Sequence, residues 1–396
     1  MIRLAVGRWI ILAVVVLAIG VWSWDASTHL VNPTGPPATP VGDYPPVPSD
    51  LTYAFGAKFE PPDGRIVHGM GQWESYNPKY LSVLGDQKYY PASQALFFAI
   101  GDTPRGWSPE DIERALQEKD DAGLISQIDI ALRGLKPLPS AFASLPDPYY
   151  GIDDVIAAGP SKYDARIQDV VDIVKDFKKP IMIRIGGEFS GNWNGYQPYA
   201  YPKAFRKIVQ MFRDAGVENA AFIWCYEPAA ADDFDEMNAL GEYKWFPGND
   251  VVDWYGIDVF ANKDIQGAEV SNGKLTQYGK TVRFLDFALA NGKPVIIAES
   301  SPSDVDITPS LTDGEADWKT WFVPYFSLLN THPTIKWFHY INYDWSLAGD
   351  SAAQGWKDAD ISDNAYIAGM FAAEMKKPQY LHTQERYLLK DYVQYL

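Results

Sequence analysis

Cysteine is almost absent from this 396-residue chain: Cys225 stands alone, so no disulfide can form within it. Basic residues are scarce as well. Lys and Arg number 34 against 51 Asp and Glu, a formal charge of −17 at pH 7. That balance argues against a nucleic-acid partner, whose phosphates are held mainly by clustered cations. The five histidines are scattered without ligand spacing, so neither a metal nor another cofactor is expected. No Gly-x-Gly-x-x-Gly turn follows the first predicted strand, which removes the main support for dinucleotide binding. Cys225 itself, in Ile223-Trp224-Cys225-Tyr226, has no nearby partner to make it a nucleophile and reads as a buried strand thiol.

Long apolar runs are missing too, except at the N-terminus. Arg3 and Arg8 precede a run from Trp9 to Trp24 broken only by Gly20 and Ser23. A basic start before ~15 apolar residues fits a secretory signal or a signal anchor. No convincing small-x-small cleavage site follows, which favours an uncleaved anchor at 1–24 with the remainder exported. Residues 25–50 are rich in Pro, Thr, Gly and Ser and read as an extended spacer. Residues 51–396 form the expected folded domain, taken to be a monomer.

What the chain has in quantity is apolar and aromatic side chains. Hydrophobic residues make up 47% of it, enough for one large α/β barrel of ~250 residues or more. Fourteen Trp and 24 Tyr suit either an aromatic core or the flat apolar faces and hydroxyl rims of sugars. From residue 51 onward, short Val/Ile/Phe runs alternate with helical patterns, the mark of βα units around a parallel sheet. Eight strands are predicted: Arg65–Met70, Ala95–Ile100, Leu124–Ile130, Pro180–Ile185, Ala220–Cys225, Trp254–Phe260, Pro294–Ala298 and Ile335–Ile341. Between them, Tyr163–Phe177 and Pro202–Ala215 carry apolar residues at helical spacing, and Thr281–Ala290 stops at Asn291-Gly292. The fold class is α/β, a (β/α)8 TIM barrel preceded by the N-terminal anchor or signal segment.

The active end of such a barrel lies at the C-termini of its strands. Glu188 sits just past predicted strand four and Glu299 just past strand seven, on opposite sides of the mouth. Two glutamates converging there meet the needs of glycoside hydrolysis. One carboxylic acid protonates the leaving oxygen, and the other carboxylate attacks the anomeric carbon or activates water. A separation of ~5–5.5 Å means retention, and ~6.5–9.5 Å inversion. The acid, Glu188, has to keep its proton near neutral pH, through burial and the neighbouring carboxylate. Arg184, four residues before Glu188, is expected on the same side of the strand, where its cation favours an ionised Glu299.

At these residues the chain resembles glycoside hydrolase family 26, from about Ile66 to Trp356. The resemblance is carried by Tyr163-Asp164, by Arg184-Ile185-Gly186-Gly187-Glu188-Phe189-Ser190-Gly191-Asn192-Trp193 and by Phe222 to Pro228. It continues in Pro247 to Asp258, Lys293 to Glu299, Trp321 to Tyr325 and Tyr340 to Trp345. It implies a retaining endo-β-glycosidase with Glu188 as acid/base and Glu299 as nucleophile, acting on a β-linked polysaccharide or oligosaccharide such as β-mannan. It further implies that Trp193 and Trp345 stack on sugar and that Asp258 is a polar site residue. Arg184, Tyr226 and Glu227 are also placed within reach of substrate, with loop capping as the other role open to Tyr226 and Glu227. Two departures stand out. The family usually has His directly before the acid/base, where this chain has Gly187, and a Tyr on strand six, where this chain has Phe260. Two other functions remain open: trimming the producer's own exopolysaccharide by hydrolysis or transglycosylation, and glycan binding without turnover.

Overall fold

The computed structural model describes residues 44–101, 107–135, 149–307 and 314–396. The expected anchor at 1–24 and most of the spacer lie outside the described residues. Among those described, no helix is long and apolar enough to cross a membrane.

Eight parallel strands form where they were expected: β1 Ile66–Met70, β2 Ser93–Ala99, β3 Ile125–Ala131, β4 Ile181–Glu188, β5 Ala220–Tyr226, β6 Trp254–Val259, β7 Val295–Ser300 and β8 Ile335–Tyr340. Each pairs with the next, and β8 pairs back onto β1 from Val67–Trp337 to Met70–Tyr340, which closes the barrel. Helices α1 Asn77–Leu84, α2 Pro109–Asp121, α3 Asp164–Phe177 and α4 Tyr201–Asp214 follow the first four strands. Helices α5 Gln277–Ala290, α6 Val323–Thr331 and α7 Ala365–Met375 follow β6, β7 and β8. No helix follows β5: residues 227–253 run as a loop, pinned by the Met237–Tyr243 bridge. Its Pro228, Asp232, Asp233, Asp235, Gly241, Pro247 and Gly248 are turn formers and supply no helical stripe.

Local chemistry explains the helix ends. Ser108 and Asp111 make a reciprocal capping box on α2. The Thr276 side chain accepts from Gly279 N–H and starts α5 a turn earlier than its apolar pattern suggested. Helix α3 buries Ile167, Val170, Val171, Ile173 and Val174, while Phe177 at its end is only half-buried.

Strand residues alternate between two cores. On β5, Ala221, Ile223 and Cys225 line the barrel interior, whereas Phe222, Trp224 and Tyr226 face the helices. Trp224 stacks on Phe189 with centroids 4.3 Å apart and is ringed by Phe246, Tyr255 and Phe284. Inside the barrel, Trp254 and Trp337 meet edge to face at 5.8 Å. The C-terminal segment closes the N-terminal end: Tyr380–Leu381 pairs with β1, and Leu388, Leu389 and Tyr392 pack with Phe59. The C-terminal segment therefore closes the lower end of the barrel, opposite the mouth that holds the carboxylates.

Candidate active site

Two strands reach that mouth through irregular backbone. Pairing of β4 with β5 is regular up to Arg184–Ile223 and resumes at Glu188–Cys225, so four residues of one strand advance against two of the other. Gly186 and Gly187 make this bulge, with φ of 83° and 59°, the left-handed region that glycine enters without penalty. A Cβ on Gly186 would also lie 2.7 Å from the Tyr201 ring. The family's usual His before the acid/base would be strained at the backbone of Gly187. On β7, a shift between Ile297 and Glu299 lets Glu299 turn inward although Ala298 before it also lines the barrel.

At the centre lies Arg184, completely buried. Its guanidinium donates to Glu299 Oε1 and to Asp258 Oδ2, and lies 2.9 Å from Asp129 Oδ2. The Asp129 contact is an ion pair without hydrogen-bond alignment. Burial pushes the Asp129 carboxyl up to about 7 against the pull of Arg184. Burial likewise raises Asp258 and Glu299, with Arg184 again opposing it. Glu299 Oε2 accepts from Gln72 Nε2 at 3.3 Å.

Glu188 is less enclosed. Its Oε2 accepts from Trp193 Nε1 at 3.0 Å and from Asn194 Nδ2 at 3.4 Å, and Asn194 also donates to its backbone carbonyl at 2.8 Å. One oxygen from each of Glu188, Asp258 and Glu299 lies within 4.8 Å of the other two. Three carboxylates so placed could hold a cation, but Arg184 already neutralises two of them.

The expected substrate-binding residues divide. Trp193 is half-buried beside Glu188 and keeps a place at the mouth. Arg184 and Asp258 lie beneath it: both are fully buried and bonded to each other, Arg184 also to Glu299 and Asp258 also to Cys225. Tyr226 is also corrected. Because Cys225 takes the inward position, the Tyr226 ring packs against Phe234 and Phe284 on the helix side. Trp345 is only 3% exposed, donates to Ser301 Oγ at 2.8 Å and is hemmed in by Trp73, Tyr343 and Trp356. It backs the mouth as part of an aromatic wall and leaves no open face for stacking. Glu227 is buried and caps its loop at Ala230 N–H, with burial, Asp264 and Glu188 pushing its carboxyl up. Phe260 packs on Trp356 at 4.8 Å and brings no hydroxyl toward Glu299.

Three site residues escaped the sequence. Asp129 had a signal, a charge inside the apolar run of β3. Gln72 and Asn194 had none, since polar residues between strands and helices are ordinary.

A closed parallel barrel with a carboxylate pair across its C-terminal mouth defines the class of this molecule. The model of glycosyl hydrolase family 26 matches residues 161–303, a stretch holding both glutamates. A β-1,3-xylanase from an Alcaligenes species is 27% identical over 256 residues, 59% of this chain and 50% of that protein. The β-1,3-xylanase TXYA of a Vibrio species is 28% identical over 254 residues, 58% of this chain and 51% of that protein. The chain thus spans about half the length of the curated relatives it matches. The solved structure of a modular endo-β-1,4-mannanase from Cellulomonas fimi aligns with a TM-score of 0.53 at 16% identity, over 86% of this chain and 78% of that one. That likeness bears on the fold.

Proposed function

We propose that this chain is a retaining glycoside hydrolase acting on a β-linked polysaccharide, with Glu188 as acid/base and Glu299 as nucleophile. The observation that carries the proposal is the approach of one Glu188 oxygen to within 4.8 Å of a Glu299 oxygen across the barrel mouth. That approach is nearer the ~5–5.5 Å spacing of retaining enzymes than the ~6.5–9.5 Å of inverting ones. Glu299, held by Arg184 and Gln72, attacks the anomeric carbon while Glu188 gives its proton to the leaving oxygen. Water, deprotonated by Glu188, then releases the sugar from Glu299.

The sugar is proposed from the relatives: β-1,3-xylan first, because the two curated relatives are β-1,3-xylanases, and β-mannan second. Export on the N-terminal segment would bring the domain to such a polymer. The test offers β-1,3-xylan, β-mannan and mixed-linkage glucan to the full chain, beside Glu188→Ala and Glu299→Ala. Reducing ends should appear from one polymer and vanish with either substitution, and the first-formed anomer should be β. Release that survives both substitutions, or an inverted first product, would overturn the assignment.

A further inference from the structure

The Glu188 carboxylate is bonded unequally. Both side-chain donors that reach it, Trp193 Nε1 and Asn194 Nδ2, meet the same oxygen, Oε2. Neither donor is free to swing away. Asn194 is 2% exposed, and its Oδ1 accepts from Arg133 Nε at 3.2 Å and Arg133 Nη2 at 2.5 Å. A guanidinium only donates, so the amide oxygen must face Arg133 and the NH₂ must face Glu188. The indole is fixed by Gly191: a Cβ there would stand 2.3 Å from Trp193 Cε2 and 2.7 Å from Nε1. Only glycine lets the ring lie against that backbone with its N–H turned toward the carboxylate.

An oxygen that already receives two N–H groups is a poor place for a third hydrogen. We propose that Trp193 and Asn194, the latter clamped by Arg133, reserve Oε2 of Glu188 as an acceptor so that the transferable proton rides on Oε1. Arg133 and Asn194 are then positioning residues for the acid/base, and Trp193 acts through its N–H as well as its ring. The proposal rests on the assignment of Glu188 as acid/base. In the step itself, Oε1–H passes its proton to the glycosidic oxygen. The C–O bond breaks with its electron pair going to that oxygen, and Glu299 forms the new bond to the anomeric carbon. The charge that appears on Glu188 is met at once by the two N–H groups, which bind the carboxylate more strongly than the acid. Asp129, Cys225, Glu227, Asp258 and Glu299 also act electrostatically on Glu188, so the pH profile alone would not isolate the two donors.

The test is leaving-group dependence of kcat/KM, which reports formation of the glycosyl-enzyme. Phenyl and 2,4-dinitrophenyl β-glycosides of the sugar identified with polymers are given to the full chain and to Trp193→Phe, Asn194→Leu and Arg133→Met. Dinitrophenolate leaves without a proton; phenolate does not. Each variant should lose on the order of 10-fold or more on the phenyl substrate and only a fewfold on the dinitrophenyl one. Trp193→Phe keeps a stacking ring, so a platform role alone would give equal losses on both substrates, chiefly in KM. Equal losses, or none, in Trp193→Phe and Asn194→Leu overturn the proposal. If Asn194→Leu does not fold, Trp193→Phe decides it. Glu188→Ala serves as control: if it shows no leaving-group preference, the acid/base assignment itself fails, which is a different result from a normal control beside indifferent variants.

Discussion

Replacing Arg184 with Met tests whether the mouth is held together by its buried cation. The guanidinium is fully buried and faces Asp129, Asp258 and Glu299, whose side chains are 1%, 0% and 4% exposed. Breaking a buried pair by removing one partner costs about 3–5 kcal/mol, because the other charge is left uncompensated. Against a domain stability of roughly 5–15 kcal/mol, that is a large share. The loss should depend on pH in a definite direction. All three carboxyls are already raised, Asp129 to about 7, and in each case Arg184 opposes the rise. A carboxyl raised in the folded state is favourable to folding below its unfolded pKa, and that contribution fades as pH climbs toward the folded pKa. Without Arg184 all three rise further, so the penalty is small in acid and grows through neutrality. Urea unfolding at pH 5 and pH 8 should therefore give a loss of about 3–5 kcal/mol at pH 8 that is smaller at pH 5 by at least ~1 kcal/mol, since one pKa unit corresponds to about 1.4 kcal/mol. In the same variant the acid limb of the activity profile should move to higher pH, as Glu299 ionises later. A loss that is equal at the two pH values, or below ~1 kcal/mol at pH 8, would refute the assignment of Arg184 as the counter-charge.

Three further outcomes are expected. Tyr226→Phe removes a buried hydroxyl that has no partner; it should leave kcat/KM unchanged and stability equal or higher by up to ~1–2 kcal/mol, and a tenfold activity loss would return Tyr226 to the substrate. Gly186→Ala forces a side chain onto a φ of 83° and against Tyr201; it should cost about 1–3 kcal/mol by thermal melting and lower kcat through Glu188, so a neutral effect on both would refute the role given to the bulge. The third outcome concerns a buried histidine pair. His68 Nδ1 and His382 Nδ1 lie 3.1 Å apart, His68 Nε2 meets Tyr80 Oη and His382 Nε2 meets the Met375 carbonyl. One proton arrangement satisfies the chain: Tyr80 O–H to His68, His68 Nδ1–H to His382, and His382 Nε2–H to Met375. Burial lowers the pKa of both, so this contribution to stability is present above pH ~6.5 and is lost as pH falls through their lowered values. Between pH 7 and 5 the stability slope of His382→Gln should be shallower than wild type by up to ~1.4 kcal/mol per pH unit, and parallel slopes would rule the pair out.

The eight strands were legible because a parallel barrel buries both faces of each strand, leaving near-continuous apolar runs such as Ile181-Met182-Ile183 and Val295-Ile296-Ile297. The same double burial hid which residues face inward. On β5 every residue is buried, so nothing in Ile223-Trp224-Cys225-Tyr226 told that Cys225 points into the barrel and Tyr226 away from it. Both glutamates could be placed at the mouth because they end strands that occupy opposite places in the barrel. Gln72 was not, because its contact with Glu299 joins residues 227 positions apart across a closure the sequence does not display. The eighth expected helix failed for a plainer reason: the segment after β5 is composed of turn formers.

The two glutamates differ in more than position, and the difference is consistent with the roles proposed for them. Glu299 is enclosed with a cation and an amide donor, Arg184 on one oxygen and Gln72 on the other. Burial raises its carboxyl, and the nucleophile's role proposed for it depends on those two contacts opposing that rise. Glu188 stands nearer the rim, and both of its side-chain donors crowd one oxygen, which leaves the other for the proton transfer proposed above. Both environments are delivered by bulges, at Gly186-Gly187 on β4 and between Ile297 and Glu299 on β7. Without the first, Glu188 would stand two residues further along, beyond its place opposite Cys225. Without the second, Ala298 would keep the inward place and Glu299 would turn toward the helices, away from Arg184. The chemistry of this mouth therefore depends as much on two breaks in strand register as on the identity of two side chains.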